Sequence, residues 1–322
     1  MLYLGEQDIQ DAVTPGEVMD AIERAYRIHE DGTYDMPQRM HVIHQESIVL
    51  YMPCFMKSIF GTKILTLFPG NAGKNKPVIE GLMLLNDAET GAPLALLNGA
   101  KLTAIRTGGV GGVGIRHTSP EHVSTIGLIG AGVQGWQQLI FAAKARRLEH
   151  ISVFDLDKDR LQDFVARLQR ILPETVITAA DSPEELLAAS EIVITTTSSR
   201  LPVLPDRADL LQGKHFIGIG SYKPDMREYP EALYRLLDQV FVDTEHGLHE
   251  SGDLLTPLEK GWVKREQFET FGHWLARKAE GEGTVGGTTL FKSVGMALFD
   301  LVVGELIYRK ALEQGVGQNI SY

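Results

Sequence analysis

The 322-residue sequence is poor in cysteine, in positive charge and in long apolar runs. Its single cysteine, Cys54, excludes a disulfide framework within the chain, and we expect it to be a small buried hydrophobe. With 31 Lys and Arg against 42 Asp and Glu, the net charge of −11 argues against nucleic acid or a membrane surface as a partner. No apolar run approaches the ~20 residues of a membrane span, and Met1 begins no signal-peptide pattern. We therefore expect a cytoplasmic protein.

Patterns that bind metal ions are also missing from the sequence. Neither HExxH nor CxxC occurs. His41 and His44 are three residues apart in strand-like sequence, so their side chains would point to opposite faces of the strand. We therefore expect no metal site.

A glycine-rich turn in segment 125–135 follows a short apolar strand and opens a helix. Gly130 permits a tight turn, Gly132 lets the backbone approach a pyrophosphate, and Gly135 lets the helix pack on the strand, as in dinucleotide-binding turns. A second apolar strand ends in Asp155, where a carboxylate binds the ribose hydroxyls of adenosine and repels a 2′-phosphate. The alternative for Asp155 is a helix-capping role. The pattern predicts a dinucleotide site for NAD(H), with NADP(H) as the alternative.

Strands and helices alternate after this turn, whereas the sequence before it is rich in strands. The alternation predicts a doubly wound parallel sheet of the Rossmann type over 120–290. The earlier part opens with a helix capping box at Thr14–Glu17 and continues with five strands. We expect the last helix, 290–314, to lie beyond the sheet and to return to the first part. The fold class is therefore α/β, with a discontinuous α+β domain (1–119 with 291–322) for substrate binding and dimerisation.

Three cationic residues lie in apolar or turn-rich surroundings. Arg39 follows a proline turn, Lys63 lies inside an apolar strand, and Arg106 lies in an apolar helix. A lysine in such a strand must either extend to the surface or serve a cleft. Glycines in the same helix are costly unless close packing or a phosphate requires a bare backbone. They lie at positions 108, 109, 111, 112 and 114. The simpler alternatives are surface positions for Arg39 and Lys63 and a carboxylate partner for Arg106; we favour a functional role for Arg106.

Seven short motifs follow one another along nearly the whole chain. They are MPQR (36–39), MP (52–53), GTK (61–63), PGN (69–71), TAIRTG (103–108), GAGVQ (130–134) and FKSVGMA (291–297). In this combination the sequence resembles the ornithine cyclodeaminase/mu-crystallin family. The resemblance implies a Rossmann domain joined to a discontinuous substrate and dimerisation domain, and hence a homodimer.

The resemblance also implies roles for individual residues. Arg39, Lys63 and Arg106 would converge on the carboxylate of an amino or imino acid beside the nicotinamide. Arginine suits this role because its fork binds a carboxylate through two parallel hydrogen bonds. Together with the three glycines of the turn, the residues implied to line the cofactor are Arg106, Thr107, Val133, Gln134, Asp155, Thr196, Ile219 and Ser293.

Two positions depart from the cyclodeaminase branch of this family. Cyclodeaminases carry an aspartate where this chain has Tyr222, and a glutamate where it has Leu50. Both carboxylates are thus replaced, and they are the evident groups for binding and deprotonating a substrate amine. Asp225 is the alternative carboxylate. Lys292 and the loop 223–228 look more like mu-crystallin and its ketimine-reductase relatives.

We therefore predict an enzyme, an NAD(P)H-dependent reductase of α-imino acids such as Δ1-pyrroline-2-carboxylate or Δ1-piperideine-2-carboxylate. Hydride would be transferred to the carbon of the C=N bond. Three alternatives stay open: an ornithine or lysine cyclodeaminase with tightly held NAD, a dehydrogenase of alanine or another amino acid, and a nucleotide-dependent binding protein.

Overall fold

The computed structural model describes residues 1–74 and 76–321, and its contacts divide the chain into two compact units. The first unit comprises residues 1–106 and 295–322, and the second comprises residues 107–294. In the described part of the chain, no helix is both long and apolar enough to cross a membrane.

The strands and helices have the following bounds. The strands are β1 (Leu2–Leu4), β2 (Met40–His44), β3 (Ser47–Phe55), β4 (Ile59–Leu67), β5 (Ile79–Asp87), β6 (Pro93–Asn98), β7 (Thr125–Ile129), β8 (His150–Phe154), β9 (Val176–Ala179), β10 (Ile192–Thr195), β11 (His215–Gly218), β12 (Leu237–Val242), β13 (Phe268–Thr270), β14 (Thr288–Lys292) and β15 (Gln318–Asn319). The α-helices are α1 (Glu6–Ala12), α2 (Pro15–Asp31), α3 (Gly99–Thr118), α4 (Val133–Ala145), α5 (Lys158–Ile171), α6 (Pro183–Ala188), α7 (Ala208–Leu211), α8 (Glu231–Leu236), α9 (Gly252–Glu259), α10 (Phe271–Ala279) and α11 (Ala297–Gln314).

The first unit contains a mainly antiparallel sheet in the order β15-β1-β6-β5-β4-β3-β2. The five strands predicted before the glycine turn are β2 to β6, and a hairpin joins β5 to β6. The capping box predicted at Thr14 and Glu17 is present: each side chain bonds the backbone N–H of the other. Helix α11 packs against β3, β4 and β5, so one face of the sheet is covered by this helix.

The second unit contains a fully parallel sheet in the order β13-β12-β14-β11-β10-β7-β8-β9. The chain runs outward from β7 through β8 to β9 and then returns to place β10 on the other side of β7. In open sheets of this kind, ligands bind outside the carboxyl ends of the strands at such a reversal point. The predicted doubly wound sheet is therefore confirmed.

The sequence prediction was wrong about the start of the last helix. Residues Thr288–Lys292 form β14, which pairs with β11 on one side and β12 on the other, and α11 begins only at Ala297. Every residue of β14 is buried, so the strand shows no alternation of apolar and polar residues. Because β14 is apolar, its sequence could not be distinguished from that of the apolar helix that follows.

A capping box at the start of α6 forms only in part. Ser182 Oγ accepts the N–H of Glu185, as expected, at 3.2 Å. The Glu185 carboxylate, however, accepts the N–H of Asp181 at 2.7 Å, one residue before the cap.

Close packing explains Gly108, Gly111 and Gly114 of α3. A Cβ on Gly108 would lie 2.5 Å from the Phe141 ring, and one on Gly111 would lie 1.7 Å from Gln138 Oε1. A Cβ on Gly114 would likewise meet Phe291, in β14, at 2.6 Å. Of the two explanations considered for these glycines, the structure therefore supports packing rather than a phosphate.

Candidate active site

Lys63 is buried inside the first unit. It lies on the covered face of β4 between Gly61 and Leu65, and 1% of its surface is exposed. Its ammonium donates hydrogen bonds to Asp300 Oδ2 at 2.7 Å and to Thr103 Oγ1 at 3.3 Å. Burial lowers the pKa of Lys63 to about 8, although the Asp300 carboxylate opposes this fall. A lysine with such a pKa can exchange its proton near neutral pH.

Asp300 connects Lys63 to Arg106. The aspartate lies in the first turn of α11 and is fully buried, and its Oδ1 accepts a hydrogen bond from Arg106 Nε at 3.1 Å. Gly295, with φ of +73°, lies against the same guanidinium: a Cβ there would be 2.5 Å from Arg106 Nη1. Arg106 thus has the carboxylate partner that the simpler interpretation required, and the partner also holds Lys63.

Arg39 joins the same group of cations. It lies in the extended segment before β2, and its Nη2 donates to the carbonyl oxygen of Gly295 at 3.2 Å. Both Arg39 and Arg106 lower the pKa of Lys63, so the three cations are within electrostatic reach of one another. We call Arg39, Lys63, Arg106 and Asp300 the cation cluster. Arginine and lysine are the side chains that bind a small anion such as a carboxylate.

The sequence reasoning missed Asp300. The signal was available, because Asp300 is the acid in the otherwise apolar segment 296–304. A carboxylate buried in such a helix needs a cationic partner. Its partners are nevertheless 194 and 237 positions away along the chain, so their identity could not be read locally.

The glycine turn of the second unit has the geometry expected of a dinucleotide site. Gly130 has φ of +106°, which permits the tight turn, and a Cβ on Gly135 would lie 2.2 Å from the Gly130 carbonyl oxygen. Gly132 caps α4 in an extended conformation, and a Cβ there would meet no protein atom within 4 Å. Neither strain nor protein packing therefore requires a glycine at Gly132. The close approach of a ligand to the backbone would explain a glycine there.

Asp155 lies directly after β8 and is already engaged within the second unit. Its Oδ2 accepts the N–H of Ala131 at 2.7 Å, and its Oδ1 accepts the N–H of Asp157 at 2.9 Å and Arg160 Nη2 at 2.6 Å. Burial alone would raise the pKa of Asp155, but these hydrogen bonds lower it below its ordinary value. The contact with Ala131 ties Asp155 to the glycine turn. Arg160 is a partner that the sequence reasoning missed.

Other predicted cofactor residues lie along one edge of the parallel sheet. Thr196 follows β10, Ile219 follows β11, and Ser293 follows β14, so all three are at the carboxyl ends of strands, as Gly130 and Asp155 are. Thr196 Oγ1 donates to the carbonyl oxygen of Gly130 at 2.8 Å. Ser293 Oγ donates to the Asp243 carboxylate at 2.7 Å.

The remaining predicted cofactor residues belong to α3 and α4. Val133 is exposed at the start of α4. Gln134, the next residue, has a buried Oε1 without a hydrogen-bond partner among the described residues, as expected of a group that meets a ligand. Thr107 is buried, and its carbonyl oxygen accepts Gln138 Nε2 at 2.8 Å. The Gln134 oxygen and the bare backbone at Gly132 both fit a bound dinucleotide.

The structure shows the surroundings of the two positions that depart from the cyclodeaminase pattern. Tyr222 is partly exposed, and Leu50 lies in β3 opposite Leu65. The alternative carboxylate, Asp225, pairs with Arg200 at 3.2 Å.

Cys54 is buried in β3, as predicted. Burial raises the pKa of its thiol to about 12, and the Asp300 carboxylate adds to this rise. A thiol with such a pKa is a poor nucleophile. Among residues 1–74 and 76–321, no three His, Cys, Asp or Glu side chains are grouped so that they could hold a metal ion.

Comparison with known proteins identifies related chains over the whole length. The chain is 31% identical over 285 residues to Delta(1)-pyrroline-2-carboxylate reductase of Bacillus cereus, covering 87% of this chain and 86% of that protein. A structure of Thermococcus litoralis Delta(1)-pyrroline-2-carboxylate reductase in complex with NADH and L-proline superimposes with a TM-score of 0.92 at 31% identity, covering 99% of this chain and 100% of the other. An archaeal alanine dehydrogenase dimer with bound NAD gives a TM-score of 0.90 at 25% identity, covering 100% and 99%.

The model of the ornithine cyclodeaminase/mu-crystallin family matches residues 3–315, which include every motif on which the resemblance was based. The cation cluster and the glycine turn both lie within this match. The chain therefore belongs to the ornithine cyclodeaminase/mu-crystallin family.

Proposed function

We propose that this protein is an oxidoreductase that reduces α-imino acids, such as Δ1-pyrroline-2-carboxylate or Δ1-piperideine-2-carboxylate, with NADH or NADPH. The observation that carries the proposal is the cation cluster, in which Lys63 and Arg106 bond the Asp300 carboxylate and Arg39 bonds the nearby Gly295 carbonyl oxygen. Family membership and the similarity to the Bacillus reductase support the same class of substrate. The Thermococcus relative was solved with NADH and with L-proline, which is the amino acid formed by reducing Δ1-pyrroline-2-carboxylate.

The residues of the cation cluster would have separate roles in the reaction. Arg39 and Arg106 bind the substrate carboxylate, because a guanidinium offers parallel donors to a carboxylate. Lys63 bonds the carboxylate or protonates the imine nitrogen, a step for which its pKa of about 8 is suited. A bound dinucleotide would supply the hydride for the C=N carbon, and a proton on the nitrogen would complete the amino acid.

The dinucleotide would be held by the second unit. Gly130, Gly132 and Gly135 shape the turn, and the unpaired N–H groups at the start of α4 receive the pyrophosphate. Asp155 would accept the hydroxyls of the adenosine ribose. NADH is therefore the expected cofactor, with NADPH as the alternative.

We retain the predicted domain limits, 1–119 with 291–322 for substrate and 120–290 for dinucleotide, as part of this proposal.

Mixing the purified protein with Δ1-pyrroline-2-carboxylate and following the near-ultraviolet absorbance of NADH, and then of NADPH, tests the proposal. We expect oxidation of the cofactor, and we expect Lys63→Met to lower kcat/KM by about 100-fold or more. The matched control is Lys101→Met, in α3 of the same unit, whose ammonium bonds Gln10 and takes no part in the cation cluster. This control should retain the wild-type rate.

Other outcomes would favour the alternatives. Ammonia released from ornithine without added cofactor would establish a cyclodeaminase. Reduction of NAD with L-alanine would establish the activity for which the archaeal relative is named. Binding of NADH without any of these reactions would indicate a nucleotide-dependent binding protein.

We further propose a homodimer formed through the uncovered face of the first unit's sheet. Met40, Tyr51, Ile64 and Leu82 form one cross-strand row over β2 to β5, with 37% to 61% of their surfaces exposed. An apolar row of this kind marks an interaction surface. Light scattering should give the mass of a dimer for the wild type and of a monomer for Leu82→Arg; a monomeric wild type would contradict this.

The cytoplasmic location stays a proposal based on composition.

A further inference from the structure

Glu228 is a buried carboxylate that accepts four hydrogen bonds. It lies in the second unit and has no exposed surface. Its Oε1 accepts the N–H of Thr197 at 2.7 Å and the Thr197 hydroxyl at 2.8 Å. Its Oε2 accepts the N–H groups of Gly220 at 3.0 Å and Ser221 at 3.1 Å. One side chain therefore holds two separate segments of backbone.

Those two segments follow the neighbouring strands β10 and β11. Thr197 is two residues past the end of β10, and Gly220 is two residues past the end of β11. The gap between them leaves no room for a side chain: a Cβ on Gly220 would lie 2.2 Å from the Thr197 carbonyl oxygen and 2.5 Å from Glu228 Oε1. The predicted cofactor residues Thr196 and Ile219 are the immediate chain neighbours of Thr197 and Gly220. Glu228 therefore fixes the positions of Thr196 and Ile219 through the backbone of Thr197 and Gly220.

Glu228 belongs to a cluster that is costly to bury. Asp253 Oδ1 accepts the N–H of Glu228 at 2.8 Å, and Asp253 Oδ2 is 3.8 Å from Lys292 Nζ and has no hydrogen-bond partner among the described residues. Lys292 donates to the carbonyl oxygen of Gly218 at 3.3 Å. Burial raises the pKa of both carboxyl groups, and Lys292 opposes the rise in each. Apolar side chains at these positions would often be as stable or more so, so stability alone explains the cluster poorly.

The position of β10 and β11 defines the part of the cofactor that they would serve. Asp155 follows β8, on one side of β7, and would hold the adenosine ribose, while the pyrophosphate would lie at Gly132 after β7 itself. Strands β10 and β11 lie on the other side of β7. The half of the dinucleotide that carries the nicotinamide would therefore extend over Thr196 and Ile219.

We propose that Glu228 is a positioning residue, which holds the ends of β10 and β11 in the arrangement that binds the nicotinamide half of the dinucleotide. This inference rests on the proposed function, because it assumes a dinucleotide at the glycine turn. Glu228 acts through Thr196 and Ile219 and does not itself touch the cofactor. Its loss should consequently weaken NADH binding without affecting a ligand that occupies only the adenosine and pyrophosphate positions.

Glu228→Gln tests the inference, with affinities for NADH and for ADP measured by titration calorimetry. The amide of the variant has only one acceptor oxygen, and its NH₂ group cannot accept a hydrogen bond. In one orientation the NH₂ group faces the donors of Thr197, and in the other it faces the N–H groups of Gly220 and Ser221. We expect NADH affinity to fall about tenfold or more, since hydrogen bonds to a charged acceptor are lost. ADP affinity should stay within about twofold of the wild type. The matched control is Glu305→Gln, a buried glutamate of the first unit that pairs with Arg24 and Arg309; it should leave both affinities unchanged.

A second, milder variant covers the case in which Glu228→Gln does not fold. Thr197→Val keeps the N–H and removes the hydroxyl donor, so NADH affinity should fall a few-fold with ADP affinity unchanged. Equal losses of NADH and ADP affinity in the folded variants would mean a merely structural role and would overturn the inference. So would unchanged NADH affinity. A wild-type protein that binds neither ligand would overturn the dinucleotide site and this inference together.

Discussion

Replacing Asp300 with asparagine tests the cation cluster directly. The substitution preserves the size of the side chain and removes the negative charge that accepts from Lys63 at 2.7 Å and from Arg106 at 3.1 Å. All three groups are at most 8% exposed, so solvent cannot replace the lost interactions. We expect lower stability, and a loss that depends on pH because one of the two partners can give up its proton.

The magnitude follows from the different chemistry of the two cations. Arg106 stays charged, so the loss of its hydrogen bond to a charged group costs about 1.5–3 kcal/mol. Lys63 has a pKa of about 8 and is half protonated at that pH, so making it neutral there costs well under ~1 kcal/mol. The expected loss near pH 8 is therefore about 2–3 kcal/mol. Below this pH, keeping Lys63 neutral costs about 1.4 kcal/mol for each pH unit.

The sign of the pH dependence is fixed by the direction of the pKa shift. Asp300 raises the pKa of Lys63, so its removal lowers the folded-state pKa below about 8, further from the ordinary value of 10.5. A base with a lowered folded-state pKa binds fewer protons in the folded state than in the unfolded state, so stability falls as the pH falls toward that pKa. The variant therefore continues to lose stability relative to the wild type below about pH 8, reaching about 4–5 kcal/mol near pH 6.

Urea unfolding of both proteins near pH 8 and near pH 6 measures this difference. The control is Glu305→Gln in the same helix, whose partners Arg24 and Arg309 do not deprotonate. The control should lose stability by the same amount at both pH values. We also expect Asp300→Asn, but not the control, to lower kcat/KM for the imino acid by about 100-fold. A difference between Asp300→Asn and the wild type that is the same at both pH values would refute the reasoning.

Further predictions concern Gly132 and Gly135, Asp155, and Cys54. Gly132→Ala should leave the thermal midpoint unchanged, because its Cβ meets no protein atom, and should weaken NADH binding about tenfold or more. Gly135→Ala should lower the free energy of unfolding by about 1–3 kcal/mol, because its Cβ would meet the Gly130 carbonyl oxygen at 2.2 Å. Calorimetry of both variants separates the two effects. Asp155→Ala should raise the NADPH-to-NADH ratio of kcat/KM about tenfold; an unchanged ratio would exclude Asp155 from cofactor selection. Cys54, with a pKa of about 12 and a buried thiol, should react with a thiol reagent near pH 8 only after unfolding.

The dinucleotide turn was predictable because everything that shapes it is local. The strand, the turn, Gly135 and the next strand are contained within 125–155, where Gly130 needs a φ of +106° and Gly135 lies against the Gly130 carbonyl oxygen. Apolar periodicity and capping residues likewise located most helices and strands to within a few residues. The start of α11 was misplaced because β14 is buried on both faces, and its identity as a strand depends on pairing with β11 and β12.

The sequence alone therefore determined the family, the doubly wound sheet and the residue types that could bind a carboxylate and a dinucleotide. Only the tertiary structure decided which groups meet. It placed Asp300 between Lys63 and Arg106, Arg160 against Asp155, and Glu228 across the ends of β10 and β11. The physical reason is that a pKa or a charge balance depends on burial and on partners within a few ångströms, and the partners of Asp300 lie 194 and 237 residues away along the chain.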